Sequence, residues 1–199
     1  MLITALMIVI LIISISLHEV GHAGAAYILG DPTAKQQGRL SLNPLVHLDI
    51  VGSIIFPLLL WVTNAGFLLG WAKPVPVNPN YFRSPRHGMM AVAIAGPLVN
   101  LGLMIIGWTM MKVTVSTGVG FQLLLSLYLI NAVLMIFNLI PIPPLDGSRI
   151  VGGLLPQSMA SYWQRLDPYG MPLIIIFIIM GGVDRVLSYF IPVVLKGVI

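Results

Sequence analysis

Residues 1–30 read MLITALMIVILIISISLHEVGHAGAAYILG. The stretch is long and apolar enough to cross a bilayer, which takes about 20 residues. Yet His18, Glu19 and His22 stand in its second half. Ionisable side chains are costly in hydrocarbon, and those that persist there usually serve function. The stretch therefore sets both the class of the protein and the place to look for chemistry. It starts without Lys or Arg, and no small-residue cleavage site ends its apolar run, so a retained helix is expected rather than a leader.

The rest of the chain agrees with that class. Of 199 residues, 8% are charged and 58% hydrophobic, and the mean hydropathy is +0.99. A soluble domain carries about a quarter charged residues. The net charge of +4 contains no basic run that would grip nucleic acid, so it bears on membrane orientation instead. Cysteine is absent, which removes disulfides and thiolate metal sites. Any metal must be held by His, Asp or Glu.

Long apolar stretches fall at roughly 2–29, 50–70, 88–112, 119–138 and 171–195. The first, third and fourth have the length of a span. The second is split by Pro57, which favours a re-entrant hairpin. The fifth is interrupted by Gly181, Gly182, Asp184 and Arg185; its first part is expected to span, with VLSYFIPVVLK at the interface. The connection GWAKPVPVNPNYFRSPRHG carries four prolines, which favour extended backbone. The expected fold is an all-α membrane protein: a polytopic helical bundle of about four spanning helices, a re-entrant hairpin and short extended segments. Residues 1–199 read as one membrane-embedded domain.

His18 and His22 are four residues apart, so a helix puts both imidazoles on one face. Both can then reach one Zn²⁺ at about 2.0–2.1 Å. Glu19, beside the first, can act on a water without ligating the metal. Gly21 and Gly24 leave room for another helix or a substrate backbone. HExxH on a helix is a zinc-protease signature. A tetrahedral site needs a third protein ligand. Of the acids away from this motif, Asp49, Asp146, Asp167 and Asp184, Asp146 stands out. NLIPIPPLDGSRI places it just after an apolar helix, behind three prolines and before Gly147. Irregular backbone at membrane depth is tolerated where it lines a cavity or is buried. An interfacial turn with a helix-capping Asp is the plainer alternative.

HEVGH near the chain start, AGPLVN at 95–100 and NLIPIPPLDG at 138–147, in that order, resemble the site-2 protease family of intramembrane zinc metalloproteases. SLNPLVHLD and GWAKPVPVNP are similar to its compact branch without PDZ domains. The resemblance covers a motif core of about 1–155; the helices from about 156 to 199 carry no matching motif. It implies hydrolysis of peptide bonds in transmembrane segments, with one Zn²⁺ per chain held by His18, His22 and Asp146. It implies Glu19 as the catalytic base, Asn138 and Asn100 as substrate-binding residues, and Gly96, Pro97 and Asn100 as shapers of the helix beside the site. Its expected partners are a substrate's transmembrane segment and the lipid bilayer, with no nucleic acid.

Ligands of one metal share one depth. His18 lies about 24 Å along the first helix from Leu2, near that helix's exit. Asp146 follows the exit of the 119–138 helix, so these two helices are expected to run the same way, and one of the two stretches between them must not cross. Pro57 and the charges pick 50–70. Lys35, Arg39, Lys73, Arg83 and Arg86 then share a face, with only Lys112 on the loop opposite. Positive loops stay cytoplasmic. The N-terminus is thus expected outside a prokaryotic plasma membrane and the active site toward the cytoplasm. His47 and Asp49 form a second polar pair, expected to be an interfacial His and a helix-start Asp, with an auxiliary ligand, proton path or gate as the functional alternative. A metal-ion transporter and a non-proteolytic, helix-binding scaffold compete with the protease. No inverted repeat supports transport, and a scaffold has no need of Glu19.

Overall fold

Where nothing breaks an apolar stretch, it becomes one helix. The computed structural model describes residues 2–64, 70–114 and 117–196. Its helices are α1 (Leu2–Ile28), the single turn α2 (Thr33–Gln36), α3 (Phe56–Val62), α4 (Pro85–Val113), α5 (Val119–Asn138), α6 (Asp146–Leu154), α7 (Gln157–Gln164), α8 (Gly170–Ile179) and α9 (Gly182–Lys196). No strand occurs among the described residues. Pro85 opens α4, where a missing N–H costs nothing.

α1, α4 and α5 are each long and apolar enough to cross a membrane. A fourth crossing is available if the run Gln157–Ile179 and α9, bent by 69° against each other, count as one. α9 rests on α5, with Tyr128 Oη donating to the Val194 carbonyl at 2.8 Å.

The bundle buries small and polar groups and turns large apolar ones outward. α1 buries Ser14, Ser16, His18, His22, Ala23 and Ala26, while Met7, Ile8 and Leu11 are exposed. Lipid tails are as apolar as leucine, so helices associate there through close packing and interhelical hydrogen bonds. Gly21 marks the α1–α4 crossing: a Cβ there would lie 2.8 Å from Val99 Cγ2 and 3.0 Å from the Ala95 carbonyl oxygen.

The contacts fix the directions of the helices. His22 meets Val92 and His18 meets Asn100, so α1 and α4 are antiparallel. Asn131 of α5 bonds both Asn100 and Ser14, and Asp146, past the end of α5, reaches His18 and His22. α1 and α5 therefore run the same way, as the depth argument requires.

The chain between α1 and α4 must then leave and return on one face. Trp71 N–H donates to the Gly52 carbonyl at 3.1 Å, so the 50–70 stretch comes back to the level where it began. Its described helix is too short to cross, with an apolar run of only Val51–Leu60. Residues 65–69, including Gly66 of that stretch, lie outside the described residues.

Candidate metal centre

Hydrogen-bond chemistry fixes both imidazoles. The Leu127 carbonyl can only accept, and it takes a bond from Asn131 Nδ2 at 2.8 Å. Asn131 Oδ1 must then accept from Asn100 Nδ2, at 2.9 Å. That leaves Asn100 Oδ1 to accept from His18 Nδ1–H, at 2.6 Å. His22 Nδ1–H donates to the Val92 carbonyl at 2.7 Å. In its neutral form each ring then carries its proton on Nδ1, and Nε2 presents a lone pair.

Those lone pairs converge. The two Nε2 atoms are 2.9 Å apart. Asp146 Oδ2 lies 3.2 Å from His18 Nε2 and 3.3 Å from His22 Nε2. That oxygen is buried and has no hydrogen-bond partner. Three acceptors packed together repel unless a cation lies among them. Ligand bonds of about 2.0–2.1 Å at tetrahedral angles put donor atoms about 3.3 Å apart, close to the separations here. The donor set thus fits a Zn²⁺ ion.

Gly96 makes the space. A Cβ on it would lie 2.5 Å from His22 Nε2 and 2.6 Å from His18 Cε1. Glu19 also comes within 4.8 Å of ligand atoms on both histidines, so His18, His22 and Glu19 form a second possible donor set. Asp146 is the nearer third donor, and Glu19 is engaged elsewhere. Its Oε2 accepts from Val75 N–H at 3.2 Å.

Val75 belongs to an extended segment, residues 70–78, that forms the other wall of the site. The segment is bound at nearly every step. Trp71 O accepts from Ser53 Oγ at 2.9 Å, and Lys73 N–H donates to the His47 carbonyl at 2.9 Å. Arg39 Nη2 donates to the carbonyls of Lys73 and Pro74. Asn78 N–H donates to Asp31 Oδ2 at 2.7 Å. Asp31 and Arg39 are both buried. Burial alone would raise the Asp31 carboxyl, but hydrogen bonds from Thr33 Oγ, Asn78 N–H and Thr33 N–H outweigh it and hold it below its ordinary range.

The sequence-derived residues fall in different places. His18, His22, Glu19 and Asp146 meet. Asn100, expected as a substrate contact, is fully buried, with Oδ1 accepting from His18 and Nδ2 donating to Asn131 inside the bundle, which places it behind His18. Asn138 Nδ2 donates back to the Leu134 carbonyl, which leaves its Oδ1 free among the described residues. Asp49 caps a helix start: its Oδ1 accepts from Gly52 N–H at 2.6 Å. His47 is buried, with Nε2–H donating to the Ser41 carbonyl at 2.8 Å, and lies under the extended segment.

Sequence reasoning passed over Asn131, Ser14 and Asp31, and read Arg39 only as a charge that bears on orientation. The polar stripe Ser14–His18–His22 at four-residue spacing was a usable signal for Ser14. Asp31 and Arg39 act on backbone groups far along the chain and leave no such pattern.

Comparisons with known proteins bear on this centre. The sequence model described as Peptidase family M50 matches residues 114–180. YwhC of Bacillus subtilis is 39% identical over 183 residues, covering 87% of this chain and 78% of YwhC. Rip2 of Mycolicibacterium smegmatis is 27% identical over 179 residues, covering 87% and 66%. MJ0392 of Methanocaldococcus jannaschii is 29% identical over 156 residues, covering 77% and 35%. All are named zinc metalloproteases, YwhC and Rip2 provisionally and MJ0392 outright. No solved structure matches.

Proposed function

Because the chain belongs to peptidase family M50, the site-2 protease family, and is a multi-pass, zinc-dependent metallopeptidase, we propose that His18, His22 and Asp146 hold its zinc. We further propose that Glu19 is the base for hydrolysis of peptide bonds in membrane-anchored substrates. The observation that carries this reading is the convergence of two imidazole lone pairs and one unpartnered carboxylate oxygen within 2.9–3.3 Å, next to a second carboxylate.

Zinc, when bound, supplies a Lewis acid that polarises the scissile carbonyl and acidifies water. Glu19 accepts the proton of the attacking water and returns it to the leaving amide nitrogen. Water adds across the bond, the C–N bond breaks, and a carboxylate and an amine leave. Val75 N–H holds one oxygen of Glu19 and leaves Oε1 for the proton. Asn100 and Val92 accept from Nδ1–H, which fixes the tautomer of each neutral ring, makes Nε2 the ligating nitrogen and orients it. The ligands lie inside a helical bundle, so the substrate's own helix must unwind to expose a carbonyl. Asn138 Oδ1 is offered as an acceptor for a substrate N–H.

Lys35, Arg39, Lys73, Arg83 and Arg86 lie in the chain between α1 and α4 or at the start of α4, on the face that α1 exits, and Lys112 lies at the far end of α4. The positive-inside rule makes that face cytoplasmic and sets the N-terminus outside the cell membrane.

Glu19→Gln tests the reading against a transporter and a scaffold. Purified in lipid, it should keep about one zinc per chain by elemental analysis while cleavage of a transmembrane substrate falls by about 10²–10⁴. Asp146→Ala should lose the metal. Metal flux in liposomes without peptide products from the parent would establish the transporter instead.

A further inference from the structure

A cavity of about 450 Å³ opens between the end of the extended segment, the start of α4 and the α6–α7 turn. Its lining follows the candidate site closely along the chain. Ser148 and Arg149 line it, two and three residues past Asp146 on α6. Val77 lines it as well, two residues past Val75, whose N–H meets Glu19.

The floor is apolar and fixed. Val77 and Met89 contribute, as does Trp163, whose indole N–H donates to the Ser148 carbonyl at 2.9 Å. The rim is charged, with Arg86 and Arg149 set against a single carboxylate, Asp167. Arg86 Nη1 donates to Gln157 Oε1 at 3.1 Å. Arg149 is exposed, and its guanidinium makes no hydrogen bond or ion pair among the described residues. The volume lies within the range of about 300–1,000 Å³ found for ligand sites, more than one side chain requires.

We propose that this cavity is a substrate subsite, taking the residues that flank the substrate's membrane segment and selecting an acidic side chain there through Arg149 and Arg86. The proposal rests on the proteolytic reading above. Most membrane segments carry Lys and Arg on their cytoplasmic flank. A basic rim at the cavity repels those flanks and accepts the uncommon acidic one, so discrimination comes from repulsion as much as from attraction. The same charges turn ordinary membrane proteins away from an enzyme that shares their bilayer.

The test uses the full chain, zinc-loaded, in nanodiscs. Two transmembrane peptides differ only in an Asp-Asp or a Lys-Lys pair just beyond the end that meets the cavity. The parent should cleave the acidic peptide with a KM about tenfold lower and a similar kcat, and the gap should narrow as salt rises. R86E/R149E should reverse the order, and Arg149→Gln alone, at an exposed position, should shrink the gap. Peptide binding to Glu19→Gln, read by fluorescence anisotropy, should show the same preference without turnover. Equal binding and equal KM for the two peptides, with cleavage intact, overturns the subsite alone. No cleavage of either peptide, with the binding preference intact, overturns the protease reading and leaves the subsite standing.

Discussion

On one side of Glu19, His18 and His22 are aimed by side chains and a carbonyl within three packed helices, through Asn100, Asn131, Ser14 and Val92. On the other side, Val75 is aimed by a segment with no helix or sheet of its own, held by Asp31, Arg39, Ser53 and the His47 carbonyl. The first wall is rigid because helices α1, α4 and α5 each satisfy their own backbone and need only interlock. The second wall has backbone groups that would otherwise go unbonded. Prolines at 74 and 76 remove donors from it, and two buried charged side chains take up acceptors and donors that remain. One wall therefore holds the two imidazoles, and the other holds the backbone N–H that meets Glu19.

Gly96→Ala should separate the two walls most sharply. Its methyl has no place beside the imidazoles, so zinc content and cleavage should both collapse, while hydrogen exchange across residues 71–78 stays near the parent's. Asn100→Ala strikes the same wall from behind. Loss of the partner to His18 Nδ1 should weaken zinc about 10–100-fold in a chelator competition. Retention of parental zinc affinity would mean that the hydrogen-bond chain does not govern the ligand.

Arg39→Ala strikes the other wall. Zinc should stay bound, KM should rise by about tenfold, and exchange at 71–78 should quicken, with partial recovery in Arg39→Lys. Zinc loss in this variant would erase the distinction drawn here. The smallest effect belongs to pH. The folded Asp31 carboxyl is held below its ordinary value, so its stabilisation is complete above the unfolded pKa, about 3.9, and is lost as pH falls through the lower folded value. The melting temperature of the parent should drop more steeply on acidification below about pH 4 than that of Asp31→Asn, measured in the same lipid.

The apolar stretches gave three spanning helices within a few residues of their ends, because spans are set by hydropathy over a window and lipid leaves backbone few other options. The return of the 50–70 stretch was legible in Pro57 and in the placement of charges. The sequence offered Asn100 as a substrate contact; its bonds to His18 and Asn131 lie inside the bundle, and a lone polar residue in an apolar helix looks the same whether it faces a cleft or a neighbouring helix. Asp31 escaped notice beside the louder HEVGH, and nothing local marks Arg39 as the clamp of a segment thirty-four residues away.

By itself the sequence determined the membrane class, the helical spacing that pairs the imidazoles, and the acid that accompanies them, since each is a matter of composition or of i, i+4 geometry. Only the tertiary structure brought Asp146 Oδ2 within 3.3 Å of both imidazoles, tied Asn131 to His18 through Asn100, and laid Val75 N–H against Glu19. Those are meetings between groups far apart along the chain, fixed by which surfaces pack and which backbone groups are left to bond, and no local window of residues contains them.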